Sequence, residues 1–253
     1  MKIKAEDQAK KSEKEKAKRI QKLDGSLKKL RKQVKKDLTC DEKEKCLTAL
    51  AVALLDESAG RMGNIESVNE RDHYGISTLK RKHITFHSNG TATLKYTGKS
   101  GVNQEKKIEN KAIAKALKTM TTDIKEGDYI FRKREDATNV TRTEINEYLS
   151  EYGITAKDIR GHHANKYLQD KLKKIGVPKD EKDRKKTFEK VIKDVASQLG
   201  HETATLKGNY LVPGFEKLYI EEGKIIDKFD KKSFHQTKKM AERVARKWLS
   251  INF

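Results

Sequence analysis

Residues 199–210 read LGHETATLKGNY and are the most informative stretch of this chain. They follow a segment, 183–199, whose apolar residues recur at helical spacing, so a helix is predicted to end at Gly200. His201 and Tyr210 then stand nine residues apart, just beyond that helix end. Taken alone, a histidine and a tyrosine at this spacing are far more often ordinary core or surface residues than catalytic ones. Their meaning therefore depends on what the rest of the chain supplies.

The charge of the chain points to a polyanionic partner. The 253 residues carry a formal net charge of +20, and 38% of them are charged against 34% that are hydrophobic. Such an excess of lysine and arginine favours DNA or RNA first and an anionic membrane surface second. No apolar run approaches the ~18 residues of a membrane-spanning helix, and the first residues lack the apolar core of a secretory signal. We therefore expect an intracellular protein that is not secreted.

The N-terminal segment is strongly basic. Residues 1–36 are dominated by lysine and contain few apolar residues, which is typical of a basic arm rather than a packed domain. A solvated lysine-rich helix or tail explains the same composition at least as well. We divide the chain into a basic N-terminal arm or helix, 1–37, and a domain, 38–253, that carries the candidate catalytic residues.

A helix is predicted directly after the arm. Thr39 and Glu42 fit a capping box, and apolar residues recur at helical spacing over about 40–58. Cys40 and Cys46 fall on this helix six residues apart, a spacing that fits no metal-binding pattern. We expect both to be free thiols in a reducing compartment.

The rest of the chain is predicted to be helical apart from one small β element. Asn89-Gly90, between the alternating segments 83–87 and 91–96, predicts a β-hairpin. Further helices are predicted near 110–120, 142–151, 156–175, 183–199 and 233–249. The predicted fold class is α+β, mostly α, with a helical catalytic domain and a small β-hairpin or three-stranded sheet.

The chain contains the residue types that phosphodiester transfer requires when neither a metal nor a nucleotide takes part. These are a nucleophile, cationic donors for the nonbridging oxygens and an acid for the leaving hydroxyl. Arg61 stands between glycines just after the 40–58 helix, and Arg160 stands near the start of the 156–175 helix. Lys99 lies in the turn TGKSG after the hairpin. Lysine is so abundant that composition alone does not separate Lys99 from its neighbour Lys95.

With their flanking residues, these positions resemble the type IB DNA topoisomerases and the related tyrosine recombinases. LGH…Y at 199–210 is similar to the family segment in which a histidine binds the scissile phosphate and a tyrosine attacks it. Other segments with the family's order and approximate spacing are RMGN (61–64), YGISTL (74–79) with His83, GKSG (98–101), KDIR (157–160), LVP (211–213) and YIEEG (219–223). The resemblance covers about residues 36–223 and implies the DNA breaking-rejoining enzyme fold.

The resemblance implies a role for each candidate residue. Tyr210 would attack a DNA phosphate and form a 3′-phosphotyrosyl bond. Arg61, Arg160 and His201 would stabilise charge on the nonbridging oxygens, and Lys99 would protonate the 5′ leaving oxygen. DNA-binding roles are expected for three further residues: Lys157, Tyr74 and Asn64.

Lys157 distinguishes a resemblance to the topoisomerases from one to the tyrosine recombinases. Tyrosine recombinases generally carry a histidine three positions before the second catalytic arginine, whereas topoisomerases carry a lysine there, as this chain does. The resemblance therefore implies ATP-independent relaxation of supercoiled DNA through transient single-strand cleavage and religation. Two alternatives stay open: a site-specific tyrosine recombinase or integrase that uses the same five residues, and a non-catalytic basic DNA-binding protein.

The expected partner is double-stranded DNA, bound by a monomer without cofactor, metal or membrane. His162 and His163 form no metal site by this reasoning, because adjacent residues on a helix point about 100° apart. Topoisomerases of this class close a clamp around the duplex with a separate N-terminal domain, for which residues 1–36 are too short and too polar. We therefore expect a missing clamp domain or a partner subunit. The resemblance places the protein in the cytoplasm or nucleoid of a prokaryote, or with a virus or mobile element.

Overall fold

The computed structural model describes residues 23–133 and 139–226. In chain order its helices and strands are α1 (23–37), α2 (Lys43–Ser58), α3 (Ile65–Arg71), β1 (Ile84–Phe86), β2 (Ala92–Thr97), β3 (Asn103–Ile108), α4 (Lys111–Met120), α5 (Arg142–Ser150), α6 (Ala156–Ile175), α7 (Glu181–Leu199), α8 (Thr203–Asn209) and α9 (Phe215–Glu222). Short 3-10 turns cover Ile76–Thr78, Arg81–His83 and Lys99–Gly101. The predicted α+β, mostly helical class is confirmed. The helix predicted at 233–249 lies outside the described residues.

The chain divides into two compact units. The sheet unit, Gly25–Arg160, contains most of α1, the three strands and the helices up to the first residues of α6. The tyrosine unit comprises Met1–Asp24 and Gly161–Phe253, and includes the rest of α6 with α7, α8 and α9. The division at residue 37 drawn from composition stays a prediction.

Helix α2 is the centre of the sheet unit. Nearly every side chain from Cys46 to Leu55 is buried, around all sides of the helix. A helix that is apolar all round must be enclosed by other elements, and α2 packs against α4, α5 and β3. The buried stripe predicted over 40–58 is therefore confirmed and extends around the whole helix.

Helix α1 adds an apolar face to the basic segment. Leu27, Leu30 and Val34 are buried, although lysine, arginine and glutamine occupy the intervening positions. Arg31 binds Asp56 of α2 with a nitrogen–oxygen distance of 2.6 Å, and the hydroxyl of Tyr148 on α5 donates to Asp37 at 2.7 Å. Within residues 23–37 the segment is thus a docked helix, while residues 1–22 lie outside the described part.

The three strands form one antiparallel sheet in the order β1-β2-β3. The predicted hairpin is confirmed: Ile84 pairs with Leu94, and the amide of Gly90, at φ +82°, donates to the carbonyl of His87. The third strand, Asn103–Ile108, was not located from the sequence, because NQEKKI is almost entirely polar. Lys106 nevertheless faces inward opposite Leu94 and is only 8% exposed.

The tyrosine unit is built around α7. Its inward face packs on α8 and α9, and the ring of Phe188 lies against the rings of Phe215 and Tyr219 at centroid distances of 6.5 and 5.9 Å. Asp180 caps the start of α7 by accepting from two backbone amides. Arg184 on α7 donates to the carbonyl of Ile220 at 2.6 Å and so fixes the end of α9.

Two local predictions before α2 are wrong. Helix α2 begins at Lys43, and its N-cap Glu42 makes no side-chain cap, while the Thr39 hydroxyl donates to the carbonyl of Lys36 and closes α1 instead. Cys40 therefore lies in the turn before α2 rather than on it. That turn brings its Cα to 6.0 Å from that of Cys46, and the two residues form a disulfide where free thiols were expected.

Candidate active site

Two glycines pack the segment around Arg61 against the segment around Tyr74. The carbonyl of Arg61 accepts from the amide of Ile76 at 2.8 Å, and the amide of Gly63 donates to Ser77 Oγ at 3.1 Å. A Cβ added to Gly75 would come within 2.7 Å of the Gly63 Cα, so the two backbones touch there. The sequence segments RMGN and YGISTL therefore pack against each other, and this contact holds the backbone of Arg61 in place.

Arg160 reaches the same place from α6. Its Nη1 donates to the carbonyl of Ala59 at 2.9 Å, and the residue is 4% exposed. Ala59 ends α2 with a left-handed backbone, φ 50°, two residues before Arg61. The two arginines predicted to bind phosphate are thus brought together at the end of α2.

Two further side chains join the arginines in the sheet unit. Burial raises the pKa of Tyr96 to about 12, against the opposing effect of Arg160 and then Arg61. Burial, and then the neighbouring Arg160 charge, lowers the pKa of Lys106 to about 8. Sequence reasoning singled out neither residue, and for Lys106 nothing in the polar run NQEKKI indicates which lysine faces inward.

We expect Lys106→Met to raise the free energy of unfolding at pH 7 by about 3 kcal/mol, since burial has lowered the amine's pKa from 10.5 to about 8. Between these two pKa values the unfolded chain binds more protons than the folded chain. The destabilisation caused by Lys106 is therefore complete below pH 8 and disappears as the pH rises above 10. Urea unfolding at pH 7 and pH 10 measures the effect. Lys107→Met, at the exposed neighbouring position, is the control. A stabilisation that does not shrink at pH 10 would contradict the prediction.

Lys99 lies where the hairpin prediction put it, on the 3-10 turn Lys99–Gly101 between β2 and β3. The turn is closed by the amide of Gly98, which donates to the carbonyl of Val102 at 2.8 Å. Lys99 is exposed and stands three residues after Tyr96. Lys95, in contrast, pairs across the sheet with Glu105 at 3.2 Å.

The three residues expected to bind DNA have different surroundings. Lys157 is exposed in the first turn of α6. Asn64 caps α3 by accepting from the amide of Glu66 at 3.2 Å. Tyr74 is only 6% exposed and donates to Asp72 at 2.5 Å; burial, and then this bond, raises its pKa. Their roles toward DNA stay predictions.

In the tyrosine unit, Gly200 turns the chain so that His201 meets Tyr210. Gly200 has φ 64° and ends α7, and the amide of His201 donates back to the carbonyl of Ala196 at 2.8 Å. The rings of His201 and Tyr210 then lie with their centroids 4.7 Å apart at an interplanar angle of 48°. The pair that the sequence singled out is therefore brought into contact within one compact unit.

Tyr210 stands at the end of the short helix α8. Its amide still donates to Leu206, but its own φ of −121° leaves the helix. On α8, Lys207 binds Glu216 at 2.6 Å and lies 5.6 Å above the ring of Phe188, which anchors this helix to α9 and α7. Of the two adjacent histidines on α6, His162 binds Asp24 and His163 stacks near Tyr167. No cluster of three metal-ligating side chains occurs among residues 23–133 and 139–226.

Both sets of residues lie within the range that one family model matches. The model of the family described as "Eukaryotic DNA topoisomerase I, catalytic core" matches residues 2–241 of this chain. The chain belongs to the type IB DNA topoisomerases. The match includes all five positions of the candidate active site, in the sheet unit and in the tyrosine unit alike.

Individual topoisomerases resemble the chain over most of its length. The DNA topoisomerase 1B of Acanthamoeba polyphaga mimivirus is 29% identical over 222 residues, which are 82% of this chain and 65% of the relative. The DNA topoisomerase 1B of Vaccinia virus (strain Western Reserve) is 25% identical over 191 residues, 74% of this chain and 58% of the relative. The chain therefore spans less than two thirds of the length of these relatives.

A solved structure agrees on the fold. A XerH site-specific recombinase bound to its palindromic difH substrate superposes with a TM-score of 0.51 and 19% identity, over 79% of this chain and 50% of that one. The breaking-rejoining fold implied by the sequence is thus confirmed. Among the described residues, no helix has the length and the apolar character needed to cross a bilayer.

Proposed function

We propose that this chain relaxes supercoiled DNA by cutting and resealing one strand through a 3′-phosphotyrosyl intermediate at Tyr210. The contact between the rings of His201 and Tyr210 is the observation that carries the proposal, because it pairs a phosphate ligand with a nucleophile. Membership of the type IB topoisomerase family supports it over the whole candidate site.

In the cleavage step, the Tyr210 oxygen attacks a backbone phosphorus and forms a new phosphodiester with the 3′ side of the cut. The bond to the 5′ oxygen breaks, and Lys99 gives that oxygen a proton while the tyrosine proton is lost to solvent. Arg61, Arg160 and His201 bind the nonbridging oxygens, where negative charge develops. The convergence of the two arginines on the end of α2 supports this division of roles.

Resealing requires no external energy source. One phosphodiester replaces another of similar free energy, so attack by the free 5′ hydroxyl restores the strand and releases Tyr210. Between the two steps the cut strand rotates and supercoils are lost. This accounts for a chemistry that needs neither ATP nor a metal ion.

The charge of the chain supports duplex DNA as the partner. A net charge of +20 gives backbone contacts that add affinity with little sequence information. Lys157, three residues before Arg160, favours a topoisomerase over a recombinase, as the sequence resemblance implied. We propose that the duplex is bound by a monomer and that a further domain or a partner subunit completes the clamp around it.

Plasmid relaxation tests the proposal. Supercoiled plasmid incubated with the protein in EDTA and without ATP should yield a ladder of topoisomers, because no step uses a metal or a nucleotide. Reactions supplemented with Mg²⁺ and with ATP serve as controls and should show the same products. DNA binding in a gel-shift assay without any relaxation would overturn the proposal in favour of a non-catalytic binding protein.

A further inference from the structure

A buried asparagine on α6 holds the backbone on both sides of the residue after Tyr210. Asn165 Nδ2 donates to the carbonyl of Tyr210 at 2.8 Å and to the carbonyl of Gly161 at 2.7 Å. Its Oδ1 accepts from the amide of Val212 at 2.9 Å. The residue is 1% exposed. Both ends of the side-chain amide are therefore used, and two of the three bonds go to the segment that carries Tyr210.

These bonds replace the ones that the chain loses when it leaves α8. Beyond Tyr210 the backbone is no longer helical, so its polar groups need other partners if they are buried. Leu211 and Val212 are buried, at 5% and 2% exposure. The Tyr210 carbonyl and the Val212 amide both bind Asn165, much as two groups of a strand bind a neighbouring strand. Two bonds at this spacing fix the peptide planes on both sides of Leu211, the first of which begins at Tyr210.

We propose that Asn165 is a positioning residue for the transesterification, and this inference rests on the function proposed above. It acts through the backbone of Tyr210: by holding the carbonyl that follows the Tyr210 Cα, it sets the direction in which the phenol leaves the chain. Gly161, the other partner of Asn165, lies beside Tyr210, since a Cβ added there would be in ordinary van der Waals contact with Tyr210 Cδ1 at 3.7 Å. The phenol is thereby aimed before DNA is attacked.

Loss of this positioning should affect the rate of cleavage more than the rate of religation. Before cleavage, only protein contacts hold the phenolic oxygen in line with the phosphorus, and a displacement of about 1 Å costs roughly 100-fold in rate. After cleavage, the oxygen is bonded to the phosphorus, so its position no longer depends on Asn165. We therefore expect Asn165→Ala to slow cleavage roughly 100-fold, to slow religation much less, and to lower the equilibrium fraction of covalent complex.

Asn165→Asp tests the bond to the Tyr210 carbonyl separately from the bond to the Val212 amide. A carboxylate can still accept from the Val212 amide, but it cannot donate to the Tyr210 carbonyl. We expect it to slow cleavage about as much as alanine does, although it keeps the size of the side chain. It also provides a second variant if the alanine protein is poorly folded.

Gln169→Leu is the matched control. Gln169 lies four residues further along α6, is 2% exposed, and its Nε2 donates to the carbonyl of Ile226, away from Tyr210. We expect this variant to unfold at a lower temperature and yet to cleave at the rate of the parent protein at 25 °C. If the loss of cleavage instead parallels the loss of thermal stability in all three variants, Asn165 has only a structural role and the proposal is overturned.

The measurements are single-turnover cleavage of a suicide substrate, religation of the isolated adduct to a strand with a 5′ hydroxyl, and DNA affinity. Slow cleavage with nearly normal religation and affinity is the expected result. Equal loss in both directions, or weakened DNA binding, would assign Asn165 a direct contact with DNA and overturn the proposal. If the parent protein itself forms no adduct, the proposed function is wrong. If the parent protein cleaves and the Asn165 variants cleave equally fast, only the role of Asn165 is refuted.

Discussion

Tyr210→Phe is expected to abolish the covalent protein–DNA adduct and all relaxation, while affinity for duplex DNA is unchanged. The substitution removes only the phenolic oxygen, which is the proposed nucleophile, so we expect that no bond to phosphorus can form. The bonds from Asn165 go to the backbone on either side of Leu211 and survive the change. Incubation with a suicide substrate, followed by denaturing electrophoresis and a gel-shift assay, measures the two quantities separately.

Mapping of the adduct provides the control for this assignment. Mass spectrometry of the trapped peptide should place the nucleotide on Tyr210. Tyr219 is fully buried and donates to the carbonyl of Gly176 at 3.2 Å, so it is poorly placed to attack DNA. Tyr167→Phe should cleave like the parent protein. An adduct on Tyr167 or Tyr219 would show that the segment has been misassigned.

Lys99→Ala is expected to slow cleavage by about 10²–10⁴-fold on ordinary DNA, the range typical of a lost general acid. A substrate with sulfur at the 5′ bridging position should restore most of this rate, because a thiolate leaves without a proton. Single-turnover cleavage of the two substrates by the same variant measures the rescue. The exposed turn that carries Lys99 should tolerate the substitution without a change in stability.

Two variants test the specificity of this rescue. Arg61→Ala removes a proposed ligand of the nonbridging oxygens, so sulfur at the bridging position should help it far less. Lys95→Ala removes a lysine of the same hairpin that is paired with Glu105, and its cleavage rate should stay near that of the parent. Equal rescue of the Lys99 and Arg61 variants would mean that the two roles are wrongly divided.

The helices were largely predictable because their apolar spacing is a local property of the sequence. The predicted ranges 110–120, 142–151 and 156–175 lie within one residue of α4, α5 and α6 at each end. The Asn89-Gly90 hairpin followed from turn chemistry in the same way. Among the candidate catalytic residues, Arg61, Arg160, His201 and Tyr210 could be chosen because their flanking segments resemble those of the topoisomerase family.

What could not be predicted depends on contacts between distant residues. Lys106 is buried because β3 pairs with β2, and the alternation of a polar strand gives no sign of it. Asn165 lies in the mixed run GHHANKYLQ on α6, where no local pattern indicates that its amide binds the carbonyl of Tyr210, 45 residues away. Thr39 fits a capping box, but its hydroxyl closes the preceding helix instead. For Lys106 and Asn165 the partner that decides the structure is distant in sequence. For Thr39 it is Lys36, three residues earlier, and the same local pattern fits the end of one helix as well as the start of the next.

The bond from Arg160 to the carbonyl of Ala59 orients the Arg160 side chain in the protein without DNA. The carboxyl end of a helix such as α2 carries a partial negative charge of about half an electron, produced by its aligned peptide dipoles. The buried guanidinium of Arg160 therefore has an electrostatic partner even in the free protein, which offsets part of the cost of removing it from water. Under the proposed function, a phosphate bound by Arg61 and Arg160 would meet a guanidinium at Arg160 that is already desolvated and oriented. Little reorganisation energy is then left to add to the barrier of the chemical step.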